Sequence, residues 1–290
     1  MILVVGATGL LGSDICRRLR ARGLPVRGLV RAGSAGEASL RALGVEICTG
    51  DLRVRADVET ACQGVSAVIT TATAMGSADK GLSLRAIDRD GQLRLVAIAK
   101  ASGVQRFVYV SLTPSLQQSA PLVRYKREVE RAVEASGMQW TILQPSVFME
   151  VWLGKTLGWD IGAGKATIFG AGTAPMSWIS VGDVAEYAVR SLDDPRLANR
   201  AVPLGGPEDL SPKAVVEIFE RATGRKFSAR HVPRALLQLM SPVVGLFNEG
   251  AASGMSMGAQ STRGDVIDSP LQRELALPLV SVREFAVRGS

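Results

Sequence analysis

The opening of the chain restricts the fold more than any other stretch. An apolar run, Ile2–Val5, leads directly into glycines at Gly6, Gly9 and Gly12, with Thr8, Leu10 and Leu11 between them. Helix-forming sequence follows from Ser13 to Arg22. A buried strand, a glycine turn and a helix in this order make a phosphate-binding device. Gly6 allows the tight turn, Gly9 lets a pyrophosphate approach the backbone, and Gly12 lets the helix pack closely on the strand. The unpaired N–H groups at the helix start then face the phosphates, and the helix dipole favours their charge. The plainer alternative is an ordinary strand-to-helix turn with incidental glycines.

Strand and helix signals alternate through the first half. Strands are predicted at Ile2–Val5, Val26–Val30, Val45–Cys48, Ala67–Thr71, Arg106–Val110 and Trp140–Leu143. Helices are predicted at Ala35–Leu43, Asp57–Gln63, Leu84–Ala101 and Arg124–Ser136, and a glycine-containing loop runs from about Met75 to Gly81. Such alternation implies an α/β fold, a Rossmann-type doubly wound parallel sheet covered on both faces. Ligands of such sheets bind at the carboxyl ends of the strands, where the loops after Val5, Val30, Cys48, Ile69, Val110 and Leu143 should converge. After Pro145 the rhythm changes. Short strands are expected at Thr167–Phe169, Met176–Val181 and Ala201–Leu204, and a helix at Val184–Leu192 with Asp183 as its N-cap. Ser211–Pro212 opens another helix that Gly224 closes. Residues 245–265, rich in glycine, serine and methionine, read as a poorly ordered loop rather than a mobile segment over a pocket. Ser281 and Glu284 form a capping box for a last helix. The division expected is a nucleotide-binding domain at 1–147 and a smaller α+β substrate region at 148–290, interleaved with the sheet edge.

Composition excludes several classes. With 47% hydrophobic and 21% charged residues among 290, a sizeable core is available and wholesale disorder is not expected. No apolar run is long enough to span a bilayer, and the start lacks the basic flank of a signal peptide, so a cytoplasmic protein with no membrane partner is expected. Cys16, Cys48 and Cys62 have no metal-ligand spacing and read as reduced thiols. His231 is the only histidine, which argues against a histidine-based zinc site or a Ser-His-Asp triad. The formal charge of +7 is spread over amphipathic helices (Arg17, Arg18, Arg20, Arg22) and aromatic residues are only 5%. Solvated helix faces explain that charge better than a nucleic-acid groove, and a small-molecule substrate is the partner expected of a monomer or homodimer.

Arg31 follows the second strand, where a nicotinamide-binding sheet faces the adenosine ribose. An acidic residue there pairs with a 2′-hydroxyl and an arginine with a 2′-phosphate, so NADP(H) is preferred over NAD(H). Ser34 is placed to assist Arg31. Asp51 and Leu52 follow the third strand and are placed to meet the adenine, with a turn-capping role as the rival for Asp51.

Gly6-Ala-Thr-Gly-Leu-Leu-Gly12, Arg31, Gly50-Asp51-Leu52, Lys126 and the run Ser136–Pro145 continuing to Phe148 resemble an atypical short-chain dehydrogenase/reductase, and within that group the NmrA-like NAD(P)-binding branch. Ile179–Ala185 and Leu204-Gly-Gly-Pro207 resemble the second half of that branch. The resemblance covers roughly residues 1–235. It implies cofactor contacts at Thr71, Ala72, Ser111 and Lys126, and at Pro145, Ser146, Val147 and Phe148 beside the nicotinamide.

The departure concerns catalysis. Other members of the superfamily carry a tyrosine one helical turn before the lysine, and here that position is Leu122. Tyr125 is adjacent to Lys126 and points about 100° away around the helix. Lys126 is therefore expected to anchor the ribose or to act as general acid; the alternative is a solvent-facing lysine paired with Glu130. Met149, Trp152 and Trp159 either wall a substrate pocket or pack as an apolar face. Three functions follow in order: an NADPH-dependent reductase of a small apolar carbonyl, quinone or conjugated double bond; a non-catalytic NADP(H)-sensing regulator; and a sugar-nucleotide epimerase-like enzyme.

Overall fold

A computed structural model describes residues 1–77 and 81–288, so the predicted loop at 75–81 lies partly outside the described residues. In chain order the elements are β1 Ile2–Val5, α1 Leu10–Ala21, β2 Val26–Val30, α2 Glu37–Ala42, β3 Glu46–Thr49, α3 Arg55–Cys62, β4 Ala67–Thr70, a π-helical turn Arg85–Gly91 running into α4 Gln92–Ala101, β5 Arg106–Val110, α5 Pro121–Glu134 and β6 Gln139–Pro145. Then come α6 Met149–Trp152, β7 Lys165–Phe169, β8 Met176–Ser177, α7 Val181–Arg190, β9 Arg200–Leu204, β10 Asp209–Leu210, α8 Pro212–Thr223, β11 Ser228–Val232, α9 Arg234–Gly245, α10 Glu249–Ser261, α11 Pro270–Leu275 and α12 Val282–Arg288.

The chain forms two compact units that are discontinuous in sequence. The first comprises Met1–Ser111, Pro121–Leu143 and Val184–Val202. The second comprises Leu112–Ala120, Gln144–Asp183 and Pro203–Ser290.

The first unit is built on a seven-stranded sheet in the order β3-β2-β1-β4-β5-β6-β9. Every pairing from β3 through β6 is parallel, with Ile2 opposite Val26 on one side and Ala67 on the other. Residues of β1 and β4 are buried throughout, as expected of strands covered on both faces. The order reverses at β1 and β4, the switch point at which open α/β sheets open a crevice for ligands. This is the Rossmann-type sheet that the alternating pattern predicts.

Two features of this unit depart from the predicted helices. The segment expected as one helix from Leu84 to Ala101 starts as a π-helical turn. Gly91 lies inside it, and a Cβ there would come 2.9 Å from the Ala86 carbonyl oxygen and 2.9 Å from Leu52 Cγ, so only glycine lets the wide turn pack on Leu52. The helix expected from Val184 starts earlier, at Val181, and the strand expected through Val181 stops at Ser177. Ser180 Oγ accepts the Asp183 N–H (3.0 Å) and Asp183 Oδ2 accepts the Ser180 N–H (3.3 Å). Asp183 is thus the third helical residue of a capping box, not the N-cap.

The second unit carries two small sheets, antiparallel β8–β10 and parallel β7–β11. Its core is aromatic: Trp159 and Phe219 stack edge to face at 5.6 Å, and Phe227 and Phe285 lie 6.1 and 6.4 Å from Phe219. The Ser211 N-cap and left-handed Gly224 bound α8 as predicted. Ser281 and Glu284 exchange both hydrogen bonds of the predicted capping box. Residues 245–265 are not a loop: α10 fills Glu249–Ser261. Asn248 caps it by accepting the Ala251 N–H at 2.9 Å, and its small residues Ala252, Ser253, Gly258 and Ala259 are buried. Small side chains that read as loop composition here allow close helix packing. Among the described residues, no helix is long and apolar enough to cross a membrane.

Candidate functional site

The turn after β1 has the geometry its glycines imply. Gly6 adopts φ +84°, and a Cβ there would lie 2.8 Å from Thr71 Oγ1 and from the Ala72 nitrogen. A Cβ on Gly12 would sit 2.1 Å from the Gly6 carbonyl oxygen, so α1 reaches this close to β1 only with glycine. Gly9 is the exposed N-cap of α1, and a Cβ there would meet only the Gly6 oxygen, at 3.2 Å. No side chain caps the helix and no acidic residue stands in its first turn. The positive end of the dipole is therefore left for an external anion. Thr8 is half-buried, Leu10 is exposed and Leu11 is buried at this turn.

Arg31 is exposed at the end of β2 and contributes to holding the Asp51 carboxyl below the usual carboxylate range. The larger cause is Arg53, whose side chain hydrogen-bonds both Asp51 oxygens (3.0 and 2.7 Å). Asp51 Oδ1 also accepts the Arg53 N–H at 2.8 Å, which is the turn-capping geometry named as its rival reading. Half-buried Ser34 closes a turn by donating its N–H to the Arg31 carbonyl (3.1 Å). Leu52 is buried and packs where a Gly91 side chain would otherwise stand.

Several buried polar groups gather at the edge of β4, β5 and α5: Thr70, Asp88, Gln92, Ser111 and Lys126. Thr71 donates its N–H to the Val5 carbonyl (2.9 Å), and the Ala72 carbonyl accepts from the Gln92 side chain (3.0 Å). Ser111 donates its N–H to the Leu143 carbonyl, while its buried hydroxyl has no protein partner among the described residues. Lys126 is not the solvent-facing lysine of the alternative reading. It is 4% exposed, it donates to the Val110 carbonyl (3.1 Å), and its Nζ lies 3.9 Å from Asp88 Oδ1 and 5.0 Å from the Tyr109 ring centre. Glu130 is instead held by Arg127, at 2.6 Å. Burial pushes the Lys126 ammonium below the ordinary lysine value, and Asp88 and Glu130 work against that shift. Desolvation raises the Tyr109 phenol well above its ordinary value, so it stays protonated. Leu122 is buried, and no acid stands at that position.

Asp88 escaped the sequence reading. It is fully buried, and its Oδ2 accepts the Ala74 N–H at 2.9 Å. The signal available was an acid inside an apolar-periodic helix, two residues after Ala86 and three before Gly91.

In the second unit the turn after β6 is pinned from several sides. Pro145 accepts the Thr113 N–H (3.0 Å), Ser146 donates its N–H to Leu204 (2.9 Å), and Val147 and Met149 bond Ile179 (3.1 and 2.9 Å). Phe148 forms an isolated parallel bridge with Ile179. Asp265, also unread in the sequence, accepts the hydroxyls of Thr113 (2.8 Å), Ser115 (2.7 Å) and Ser146 (2.6 Å). Met149 and Trp159 belong to the aromatic core, and Trp159 Nε1 donates to the Thr167 carbonyl at 2.9 Å. Trp152 is half-buried with its ring edge-on to Phe169 at 5.8 Å. Trp152 and Trp159 also line a cavity of about 20 Å³ with Phe169 and Trp178, room for no more than a water-sized group.

A dinucleotide fits these residues on two structural grounds: an uncapped helix N-terminus where a Cβ on Gly6 or Gly12 would clash, and a buried Ser111 hydroxyl lacking a protein partner among the described residues. The fold and this turn define a Rossmann-type protein. The sequence profile of the NmrA-like family matches residues 1–261, and the chain belongs to that family. It is 32% identical over 247 residues to an NAD(P)H azoreductase of Xenophilus azovorans, covering 85% of this chain and 81% of the relative. It is 31% identical over 249 residues to the photosystem II assembly factor Ycf39 of Guillardia theta, covering 85% and 77%. Among solved structures it superposes on an NADPH-dependent quinone oxidoreductase of Escherichia coli with a TM-score of 0.77, at 20% identity over 99% of both chains.

Proposed function

We propose that the chain is an NADPH-preferring reductase of a small, largely apolar carbonyl, quinone or conjugated double bond. The observation that carries this reading is the glycine turn of Gly6, Gly9 and Gly12, which leaves the start of α1 bare for a diphosphate. The azoreductase relative, named for NAD(P)H, supports the same class of chemistry. Arg31 would take the 2′-phosphate with Ser34 beside it, and Asp51 and Leu52 would border the adenine. Thr71, Ala72 and Ser111 would line the path of the dinucleotide, and the Pro145–Phe148 turn would lie beside the nicotinamide. When bound, a reduced nicotinamide supplies the hydride. Lys126, buried and held by the Val110 carbonyl, would anchor the ribose hydroxyls and hold a proton near the reacting centre. Trp152, half-buried, would be the aromatic residue that meets an apolar substrate.

The test is a fluorescence titration with NADPH and NADH. Arg31→Ala should weaken NADPH about tenfold, roughly 1.4 kcal/mol, and leave NADH unchanged. Equal loss for both would remove the 2′-phosphate role, and no binding of either by the unaltered protein would end the reading. A second function, NADP(H) sensing without turnover, is favoured by Leu122 at the position of the usual acid and by the assembly-factor relative. Turnover of NADPH with a panel of quinones and enones separates the two.

A further inference from the structure

Asp265 lies four residues beyond the matched family segment, in the stretch that follows α10. Its side chain is 6% exposed, and it accepts hydrogen bonds from three hydroxyls: Thr113 and Ser115 on Oδ1, and Ser146 on Oδ2. Its backbone is fixed as well, with its N–H on the Pro175 carbonyl (3.0 Å) and its carbonyl accepting from Ser177 (2.9 Å). A buried carboxylate needs such donors to offset its lost hydration.

An ionised carboxylate only accepts hydrogen bonds, whereas a hydroxyl carries one proton and two lone pairs. The bond from Ser146 to Asp265 therefore uses the only proton that Ser146 Oγ has. What remains on that oxygen is acceptor capacity alone. We propose that Asp265 is a specificity-determining positioning residue: it sets the polarity of Ser146, so that the turn after β6 accepts a hydrogen bond from the carboxamide N–H₂ of the bound dinucleotide. This rests on the reading that a nicotinamide lies beside Pro145–Phe148. Thr113 and Ser115 are oriented by the same carboxylate, which ties the segment after β5 to the same arrangement.

Replacing Asp265 by asparagine keeps the shape and inverts one bond. The amide oxygen can still take the Thr113 and Ser115 protons, but its N–H₂ must donate to Ser146, whose own proton then turns outward. The probe is a pair of cofactors, NADPH and its 3-acetylpyridine analogue, which carries a ketone in place of the carboxamide and so has no N–H to give. Adenosine 2′,5′-bisphosphate, which lacks the nicotinamide half, is the control. The unaltered protein should bind NADPH about tenfold more tightly than the acetylpyridine analogue, the worth of one well-placed hydrogen bond. Asp265→Asn should bring that ratio close to one while leaving the bisphosphate affinity unchanged. Ser146→Ala should abolish the preference as well, and adding Asp265→Asn to it should change nothing further.

An unchanged ratio in Asp265→Asn overturns the inference, as does equal weakening of all three ligands, which would mark a purely structural residue. If the unaltered protein binds the bisphosphate but does not distinguish the two dinucleotides, the inference alone fails. If it binds none of the three, the dinucleotide reading fails with it.

Discussion

In the first unit the core is grouped by strand: Leu3, Val4 and Val5, then Val68 and Ile69, then Phe107 to Val110, each run a few residues long and laid side by side in register. In the second, Phe219 gathers Trp159, Phe227 and Phe285 from segments far apart in sequence, and only two-stranded sheets accompany them. The first arrangement repeats a local rule, strand then helix, and spreads its buried side chains over many strand positions. The second depends on single large side chains meeting across long stretches of chain, so its stability is concentrated in few positions.

That contrast can be broken most directly at Phe219. Phe219→Ala should cost about 4 kcal/mol, read from the shift in urea midpoint, whereas Val68→Ala in β4 should cost about 2 kcal/mol. A smaller loss at Phe219 than at Val68 would undo the argument. Gly12→Ala is the exception within the first unit, because its Cβ would meet the Gly6 carbonyl oxygen at 2.1 Å. It should cost about 3 kcal/mol and remove dinucleotide binding altogether, whereas Gly23→Ala, which meets nothing within 4 Å but has φ +72°, should cost less and leave binding intact.

Asp88→Asn sharpens the comparison on the chemical side. Lys126 titrates below the ordinary lysine value because it is buried, and Asp88 holds it up. Between the folded and unfolded values the unfolded chain binds more protons. Stability attributable to this lysine is therefore present above the unfolded value and lost as pH falls through the folded one. Removing the Asp88 charge should lower the folded value further and move the alkaline limb of NADPH binding to lower pH; a profile unmoved by the substitution would show that Asp88 does not act on Lys126. The smallest effect is expected at Ser180→Ala, about 1 kcal/mol by thermal unfolding, since the capping box at the start of α7 is local.

Local devices were legible in the sequence and long-range ones were not. The glycine turn, the Ser211–Gly224 helix and the Ser281–Glu284 box announce themselves because each is completed by residues within a turn or two. Helix α10 did not, because its glycines and serines have weak helical preference and the segment is held by packing: Ser241 Oγ bonds the Ala252 carbonyl (2.9 Å) and Gly258 lies against the Phe169 ring. Asp88 and Asp265 stayed hidden for the same reason. Nothing beside either residue in sequence reports that Lys126, or Ser146, will be folded against it.

The wide turn at Arg85–Gly91 has a further meaning as a one-residue insertion. A π-turn holds one residue more than the α-turn it replaces, so excising a single residue from this segment would restore a regular helix. Such a turn takes up the extra residue locally, so α4 keeps its register beyond it while Asp88 sits on the widened turn, with its Oδ1 3.9 Å from Lys126 Nζ. The carboxylate beside Lys126 is thus presented by a widened turn, and a chain shortened within that turn would keep both charges while replacing the backbone that presents one of them.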